Sequence, residues 1–534
     1  MGNENPPASI SRRDLLRMIG VAGGGALMYQ AMTNLGFAAE STYRRPPPLQ
    51  GTGKGSVIIL GAGLAGLVAA YELGKAGYKV QVLEYNARAG GRNWTLRGGD
   101  TYTELGGHTQ TCRFDKGLYF NPGPWRIPYH HTGVLDYCHR FGVQLEPFVQ
   151  VNHNAYMHSP EAFGGKPQRL RAVQADWHGG IADLLAKASG KGALDDMVTK
   201  EDREILLESL RQFGGLDSEF RYVAGHASAE HRGYAKEPGG GPDGKPEPSQ
   251  PVGITDILKS GLWKQLGMSS LYEYQTTLMQ PIGGMDAIGK AFVREIGPHV
   301  IQYNSKVTAI AQDDRGVTVT YEDTGKPGQP RQAKADWCVC TIPLSILSQI
   351  PIQVSSEKAA AISAVPYMSS AKVGLQFKRR FWEEDDRIYG GISTTDTPIG
   401  MIAYPSHGIG TKKGVLLGAY AFFTEAYEFT ALDPPTRIAK AVEYGSLLHP
   451  QYKAEFENGM AVAWHRVPST LGCFGWWTDQ AREQHYANLC SMDGRIVLAG
   501  EHASYLPAWQ EGAILSSLAA IEQLHRKAVA GGVA

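Results

Sequence analysis

The spacing of apolar residues changes twice between positions 55 and 85. Residues 57–60 form a short apolar run, residues 64–76 carry apolar side chains at helical spacing behind a glycine turn, and residues 80–83 are again apolar. Short apolar runs beside glycine are typical of buried strands, and the order strand, helix, strand builds a parallel sheet covered by helices. The pattern therefore predicts an α/β domain with a doubly wound sheet.

The rest of the pattern indicates interleaved segments. Strand signals return near residues 300–323 and 335–343, with a turn expected at the sequence GKPGQP between them, and the chain closes with a strand, a loop and a helix. Residues 233–253 are dense in Gly and Pro, which predicts an exposed, mobile loop without regular structure. We predict three domains: an α/β domain of residues 54–120, 284–365 and 488–530, a mixed-sheet α+β domain of residues 121–172, 268–283 and 366–487, and a helical domain of residues 173–267.

Residues 1–40 differ in kind from the rest. The pair Arg12 and Arg13 precedes a moderately apolar, Gly-rich segment and then small residues. This resembles a twin-arginine export signal, and the segment is too short and too weakly apolar for a convincing membrane span. We expect export to the periplasm or secretion without stable membrane insertion, or a cytoplasmic protein if the leader is not functional.

Composition excludes several classes of function. The chain has 52 basic and 52 acidic side chains among 534 residues, so it has no electrostatic footprint for nucleic acid. Its six cysteines are too few for a disulfide framework, and none of their spacings matches a metal site. No metal is therefore predicted from the sequence.

A glycine motif lies between the first strand and the first helix. Gly61 allows a tight turn, Gly63 allows close approach of a pyrophosphate at the helix N-terminus, and Gly66 allows close packing of helix on strand. Glu84 ends the next strand, where its carboxylate can accept hydrogen bonds from ribose hydroxyls. The complete unit predicts dinucleotide binding.

Further motifs extend this site. Glu84 leads into YNARAGGR, and near the other end RIVLAGEHAS places Gly500 and Glu501 before the terminal helix. In this order the motifs resemble the flavin amine oxidase family, which implies a Rossmann-type FAD-binding domain. The resemblance implies these cofactor-binding residues: Gly61, Gly63, Leu64, Ala65, Gly66, Glu84, Arg88, Gly91, Arg92, Val307, Trp464, Gly500, Glu501, Ala508 and Trp509.

The sequence GPWRIP sets an arginine within a packed turn. The segment NPGPWRIPYHHTG looks like the part of L-amino acid oxidases whose arginine pairs with the substrate carboxylate, which implies this role for Arg126. A guanidinium makes two parallel hydrogen bonds to a carboxylate and so both binds and orients it. An internal acidic residue is the alternative partner. An apparent insertion, HTQTCRFDKGLYF, also brings Arg113 as a rival.

The resemblance implies four more substrate-side features. Lys372 corresponds to a lysine that holds a water near the flavin, and Tyr404 to a tyrosine that shares the carboxylate with the arginine. Ala508 and Trp509 correspond to the loop that faces the substrate amine. Trp464 corresponds to an aromatic near the flavin, and a core position is the alternative for each of these residues.

The implied activity is oxidative deamination of an L-amino acid. Hydride would pass from Cα to flavin N5, and O₂ would give hydrogen peroxide while the imino acid hydrolyses to a 2-oxo acid and ammonia. In this scheme Arg126, Tyr404 and Lys372 are the expected catalytic residues. The alternatives are an amino acid 2-monooxygenase that forms the amide, an oxidase of amines without a carboxylate, and a flavin-bearing binding protein without turnover.

Substrate specificity stays open at this level. Trp125, Tyr274 and Trp509 would form an aromatic wall, which favours large hydrophobic or aromatic substrates. Three acidic residues leave room for a cationic side chain instead, namely Glu273, Asp217 and Glu511. The resemblance also implies a homodimer or higher homo-oligomer.

Overall fold

The computed structural model describes residues 41–50, 53, 55–193, 198–267 and 271–530. The predicted export signal lies outside the described residues. Within the described part of the chain, none of the helices combines the length and apolarity needed to cross a bilayer.

A five-stranded parallel sheet forms the first layer of the fold. Its strands are, in spatial order, Ile301–Gln302, Lys79–Leu83, Ser56–Leu60, Trp337–Cys340 and Ile496–Leu498. Helix Leu64–Lys75 packs against helix Gln510–Ala530, and apolar side chains cover both faces of the sheet. The predicted α/β fold is thereby confirmed, and its sheet is built from segments that are far apart in the chain.

A three-stranded antiparallel sheet is attached to this domain. It comprises Ser305–Gln312, Val317–Asp323 and Lys326–Ala335. The expected turn at GKPGQP is wrong, because the chain already turns at residues 324–325 and the prolines lie in the third strand. That strand is at the sheet edge and mostly exposed, where a missing backbone N–H is tolerated and no apolar pattern is needed.

A seven-stranded mixed sheet forms the second large layer. Its strands are, in spatial order, Phe456–Ala463, Ser370–Phe377, Gly414–Phe422, Met401–Tyr404, Gly391–Thr395, Tyr156–His158 and Gln168–Arg169. Neighbours pair antiparallel except for Gly391–Thr395 with Tyr156–His158. Separate apolar clusters cover its two faces, so successive residues of a strand face different surroundings.

Among the residues that the structure describes, a group of five helices follows strand Gln168–Arg169 in the chain. Its helices are Leu170–Gly190, Lys200–Gly214, His226–Arg232, Ile254–Ser260 and Trp263–Leu266. The Gly/Pro-rich segment 233–253 is largely exposed, but it contains a two-stranded antiparallel ladder of Tyr234–Lys236 with Glu247–Pro248. The expectation of a segment without regular structure is therefore corrected.

Shorter elements complete the described fold. The remaining α-helices are Thr132–Arg140, Asp286–Ile296, Leu344–Leu347, Ser356–Ser363, Phe381–Glu384, Phe423–Thr430, Pro434–Leu448, Tyr452–Glu455 and Asp479–Cys490. The remaining strands pair as Leu96–Arg97 with Tyr119–Phe120, Thr101–Thr103 with Thr109–Thr111, and Leu145–Phe148 with Leu278–Pro281.

A buried ion pair joins the small hairpin at residues 101–111 to helix Pro434–Leu448. The Arg437 guanidinium donates two hydrogen bonds to the Glu104 carboxylate, at 2.7 and 2.8 Å, and both side chains are almost fully buried. A further donation from Arg437 to the Thr430 carbonyl, at 3.0 Å, leaves the guanidinium well bonded. Removing one charge would leave the other stranded in the interior.

Glu104→Gln should lower the free energy of unfolding by about 3 kcal/mol or more, because Arg437 loses its countercharge while staying buried. Urea unfolding of the holoenzyme measures the loss. Glu443→Gln breaks the exposed pair with Lys440 and serves as the control, with no measurable change expected. Equal effects of the two substitutions would contradict the importance given to the buried pair.

Candidate active site

A cavity of about 740 Å³ lies where the two large sheets meet. Its lining combines the glycine motif, the turn that carries Arg126, and the loop before the terminal helix. The predicted site residues that line it are Gly61, Gly63, Leu64, Ala65, Glu84, Gly91, Arg92, Trp125, Arg126, Val307, Trp464, Gly500, Glu501, Ala508 and Trp509. We call this space the central cavity.

The glycines of the motif occupy the positions that their expected roles require. Gly61 has φ +102°, which glycine adopts readily, and a Cβ on Gly66 would lie 1.9 Å from the Gly61 carbonyl oxygen. A Cβ on Gly63 would meet nothing within 4 Å, so this residue opens onto the central cavity at the N-terminus of helix Leu64–Lys75. Gly66 therefore packs helix on strand, whereas Gly63 leaves room for a ligand.

Glu84 and Arg88, the next charged residues of the cofactor motifs, have different positions: Glu84 lines the cavity, and Arg88 lies behind it. Glu84 lines the cavity, and its carboxylate accepts hydrogen bonds from the backbone amides of Ala62 and Asn86, at 2.6 and 2.8 Å. Arg88 does not line the cavity, because its guanidinium donates to the Gly91 carbonyl at 2.7 Å. Burial lowers the pKa of Arg88 to about 10. Arg88 thus shapes the glycine loop.

Arg92 and Glu501 form the contact that joins the early and late motifs, with 2.8 Å between Nη1 and Oε1. Desolvation alone lowers the pKa of Arg92, but the facing charge of Glu501 outweighs it and holds that pKa above its ordinary value. Glu501 also accepts from the amides of Gly475 and Ala508, at 3.2 and 3.1 Å. This bond helps to hold Ala508 at φ +69°, which is uncommon for a residue with a side chain.

The turn that carries Arg126 is fixed on both sides. The Trp464 indole donates to the Pro122 carbonyl at 2.8 Å. Beyond the arginine, the amides and carbonyls of Ile127 and Met279 exchange hydrogen bonds at 2.7 and 2.8 Å. A rigid backbone on each side gives Arg126 a defined direction.

Arg126 places a buried cation at the cavity wall, among the rings of Trp125 and Trp509, which line the cavity, and of Tyr274, which was predicted to line it but does not. Its side chain is 3% exposed, and its guanidinium carbon lies 4.5 Å from the Tyr274 ring centroid, 5.0 Å from that of Trp125 and 5.9 Å from that of Trp509. Ring faces stabilise a cation without neutralising it. The arrangement therefore offers a positive charge in a water-poor part of the cavity.

Comparison of the sequence with known protein families is consistent with this geometry. The profile of the family described as flavin containing amine oxidoreductase matches residues 64–524. The chain belongs to this family. FAD is accordingly the cofactor of this amine oxidoreductase.

Two relatives of this amine oxidoreductase bear the name L-amino-acid oxidase. The protein from Bothrops pauloensis is 29% identical over 483 residues, which cover 88% of this chain and 89% of the relative. The putative L-amino-acid oxidase YobN of Bacillus subtilis (strain 168) is 27% identical over 488 residues, which cover 88% and 94%.

Solved structures establish the fold of the amine oxidoreductase. A mutant of putrescine oxidase superposes with a TM-score of 0.57 at 17% identity, covering 90% of this chain and 100% of its own. Cyclohexylamine oxidase from Brevibacterium oxydans IH-35A gives 0.56 at 16% identity, with the same coverage. Both names denote oxidases of amines.

The residues that line the central cavity have the chemistry needed to bind FAD. The open backbone at Gly63 and the helix N-terminus behind it suit a pyrophosphate, and Glu84 lies at the end of the adjacent strand. Val307 lines the cavity beyond this strand, and Glu501 lies at its opposite end. Apart from Gly66 and Arg88, the residues that the sequence predicted for the cofactor therefore share one continuous space.

Lys372 lies behind the cavity wall. It is buried on strand Ser370–Phe377, donates to the Gly123 carbonyl at 2.5 Å, and holds its Nζ 4.3 Å from the Tyr420 ring centroid and 4.8 Å from that of Trp125. Burial lowers the pKa of Lys372 to about 7. The Lys372 amine, which is neutral above that pH, is thus separated from the cavity by the rings of Trp125 and Tyr420.

Tyr404 is not beside Arg126, which corrects the prediction. Its hydroxyl is hydrogen-bonded to Ser393 Oγ at 2.7 Å and to His449 Nε2 at 2.6 Å, and it does not line the central cavity. Residues alternate between the faces of a strand, and it is Ala403 that packs on the cavity side of the sheet. Tyr404 therefore faces away from the central cavity.

Arg113 and the three acidic residues that could have met a cationic substrate also lie away from the cavity. Arg113 is exposed, and Asp217 pairs with Arg221 on the surface. The Glu511 carboxylate accepts from the backbone amides of Gly133 and Val134, both at 2.8 Å. Glu273 faces two histidines. None of these side chains offers a negative charge to the central cavity.

Some cavity residues escaped the sequence interpretation. Tyr420, Phe422, Cys473 and Phe474 line the cavity from the seven-stranded sheet and the loop before Gly475. They lie in ordinary apolar runs, and only the strand pairing reveals which side chains face the space.

The pKa of Lys372 should be visible in the pH dependence of stability. Between its folded value of about 7 and the ordinary value of 10.5, the unfolded chain binds more protons than the folded one, so unfolding free energy rises with pH. Wild type should therefore gain stability relative to Lys372→Met from pH 7 to pH 10, by at most about 1.4 kcal/mol per pH unit.

Urea unfolding at several pH values measures this gain. Lys378→Met removes an exposed lysine close by and is the control for a lost charge. A difference between wild type and Lys372→Met that stays constant across this window would refute the lowered pKa.

Proposed function

We propose that this amine oxidoreductase oxidises free L-amino acids. The amino acid loses two electrons and two protons to become the imino acid, O₂ takes them up as hydrogen peroxide, and hydrolysis gives a 2-oxo acid and ammonia. The buried cation of Arg126 at the wall of the FAD cavity carries the proposal. The names of the two relatives support it.

The position of Arg126 favours an amino acid over a simple amine. A carboxylate entering the cavity would meet a guanidinium that is stacked among Tyr274, Trp125 and Trp509 and shielded from water. Charge-assisted bidentate bonds are strongest where water is excluded, and they fix the orientation of both partners. An amine without a carboxylate would leave this buried charge without a ligand from the substrate.

The protein contributes binding, orientation and exclusion of water. FAD, when bound, would supply the two-electron acceptor for the Cα–H hydride, with O₂ as the final oxidant. Arg126 holds the carboxylate and so orients the α-carbon. The loop of Ala508 and Trp509 faces the same space, with the Ala508 carbonyl as the proposed acceptor for the amine. Lys372, neutral above about pH 7, is proposed to hold a proton-accepting nitrogen behind this wall.

The composition of the wall supports a side-chain preference. Trp125, Trp509, Tyr420 and Phe422 supply aromatic surface, and the carboxylates among the residues lining the central cavity are Glu84 and Glu501, which belong to the cofactor motifs. We therefore propose large apolar or aromatic L-amino acids as substrates, and basic ones as poor substrates. A panel of L-amino acids with a peroxide readout should give higher kcat/KM for L-phenylalanine and L-leucine than for L-arginine and L-lysine.

Arg126→Met should lower kcat/KM for L-phenylalanine by roughly 10²-fold or more, because two charge-assisted hydrogen bonds are lost. Any oxidation of phenethylamine, which lacks the carboxylate, should fall much less. The measurement is the ratio of kcat/KM for this pair, with FAD content determined for each preparation.

Arg113→Met is the matched control, since it removes an exposed arginine from the neighbouring segment. It should leave both substrates unchanged. The carboxylate role of Arg126 is rejected if Arg126→Met keeps its FAD and retains the wild-type substrate ratio.

Product analysis separates oxidation from oxygenation. An oxidase yields one 2-oxo acid, one ammonia and one hydrogen peroxide per amino acid, whereas a 2-monooxygenase yields the amide with loss of CO₂. Mass spectrometry of the L-phenylalanine products should show the 2-oxo acid. Amide as the main product would replace the proposed reaction while leaving the role of Arg126 intact.

A further inference from the structure

Three buried side chains meet outside the central cavity. His130 and His131 are adjacent at the start of helix Thr132–Arg140, and both point Nε2 at the same oxygen, Oε2 of Glu273. The separations are 3.0 Å for His130 and 3.2 Å for His131. One donor atom from each residue lies within 4.8 Å of the others. We call these residues the His–His–Glu cluster.

The hydrogen bonds around the cluster do not account for its geometry. His130, His131 and Glu273 are 3%, 1% and 1% exposed. Despite the short separations, the two contacts are poorly aligned for hydrogen bonds, and among the described residues no other group makes a hydrogen bond to either Nε2 or to either oxygen of Glu273. Leaving several buried polar atoms without such bonds is costly, and a native structure rarely does so without a reason.

We propose that the His–His–Glu cluster binds a divalent transition metal ion of the Zn²⁺ type. Zinc binds imidazole nitrogen and carboxylate oxygen at about 2.0–2.1 Å in tetrahedral geometry, which sets neighbouring ligand atoms roughly 3.3 Å apart. The two N···O separations of 3.0 and 3.2 Å are close to this spacing, and one donor atom from each histidine lies within 4.8 Å of the other. Two imidazoles favour zinc over Mg²⁺ or Ca²⁺, which prefer oxygen ligands. One bound ion would satisfy the three converging donor atoms together.

The site lies directly behind the wall that carries Arg126. The His131 ring packs edge-on against Trp509, with centroids 5.0 Å apart, and Glu273 precedes Tyr274, whose ring stacks on the Arg126 guanidinium at 4.5 Å. The ion would therefore tie together Trp509, which lines the central cavity, and Tyr274, which packs on Arg126 behind it. Because no ligand of the cluster lines the central cavity, its role is to position this wall.

The outer side of the cluster lies close to the protein surface. The His130 ring packs edge-on against Tyr129, with centroids 5.1 Å apart, and Tyr129 is 40% exposed. The cluster is thus separated from solvent there by a single aromatic layer.

Metal content of the full-length holoenzyme tests the proposal. Protein made without a polyhistidine tag is treated with a chelator, desalted, incubated with Zn²⁺ and desalted again before elemental analysis. Wild type should retain roughly one zinc per chain, and His131→Gln and Glu273→Gln should each retain less than about one fifth of that amount. The control is His226→Gln, which removes an exposed histidine that faces Glu230 at 3.3 Å and should retain the wild-type content.

Two further readouts keep the test decisive where a variant folds poorly. X-ray absorption of zinc-loaded wild type should show only nitrogen and oxygen ligands at about 2.0–2.1 Å, with imidazole scattering. Chelation should lower the Tm of wild type but not that of Glu273→Gln. Wild type that retains no zinc, or whose zinc lacks imidazole ligands, overturns the proposal and identifies the cluster as a metal-free contact. None of these measurements depends on amino acid oxidation.

Discussion

The ion pair of Arg92 and Glu501 is the constraint on which the active site depends. It joins the glycine-rich loop to the last motif of the chain, and the same carboxylate holds the amides of Gly475 and Ala508. The Arg92 backbone in turn lies so close to Gly123 that a Cβ there would be 1.9 Å from the Arg92 carbonyl oxygen. The cofactor motifs and the substrate turn are thus set against one another by a single anchor.

The cofactor half of the site could be predicted from the sequence because its determinants are local. The turn at Gly61, the open approach at Gly63 and the packing at Gly66 all follow from a few consecutive residues, and each is observed. The same holds for the placement of Arg126 at the cavity wall, since its prolines and its exchange of hydrogen bonds with a neighbouring strand leave the turn little freedom. The parallel sheet could also be predicted from a local pattern, the strand, helix and strand of residues 57–83.

The substrate half could be predicted only in part, because it depends on side-chain direction and on distant contacts. A displacement of one residue on a strand moves Tyr404 to the far face of the sheet. The carboxylates of Glu273 and Glu511 face groups that lie more than a hundred positions away in the chain. The pairing of His130 with Glu273 shows no recognisable spacing in the sequence, so neither periodicity nor motif reveals it.

The position of strand Ile496–Leu498 and helix Gln510–Ala530 has a consequence for biosynthesis. Both belong to the domain whose first strand is Ser56–Leu60, and the helix packs on Leu64–Lys75 from the opposite end of the chain. Residues as far as this helix must therefore be synthesised before the domain can close. A chain truncated before residue 496 lacks both the edge of the sheet and the Glu501 anchor.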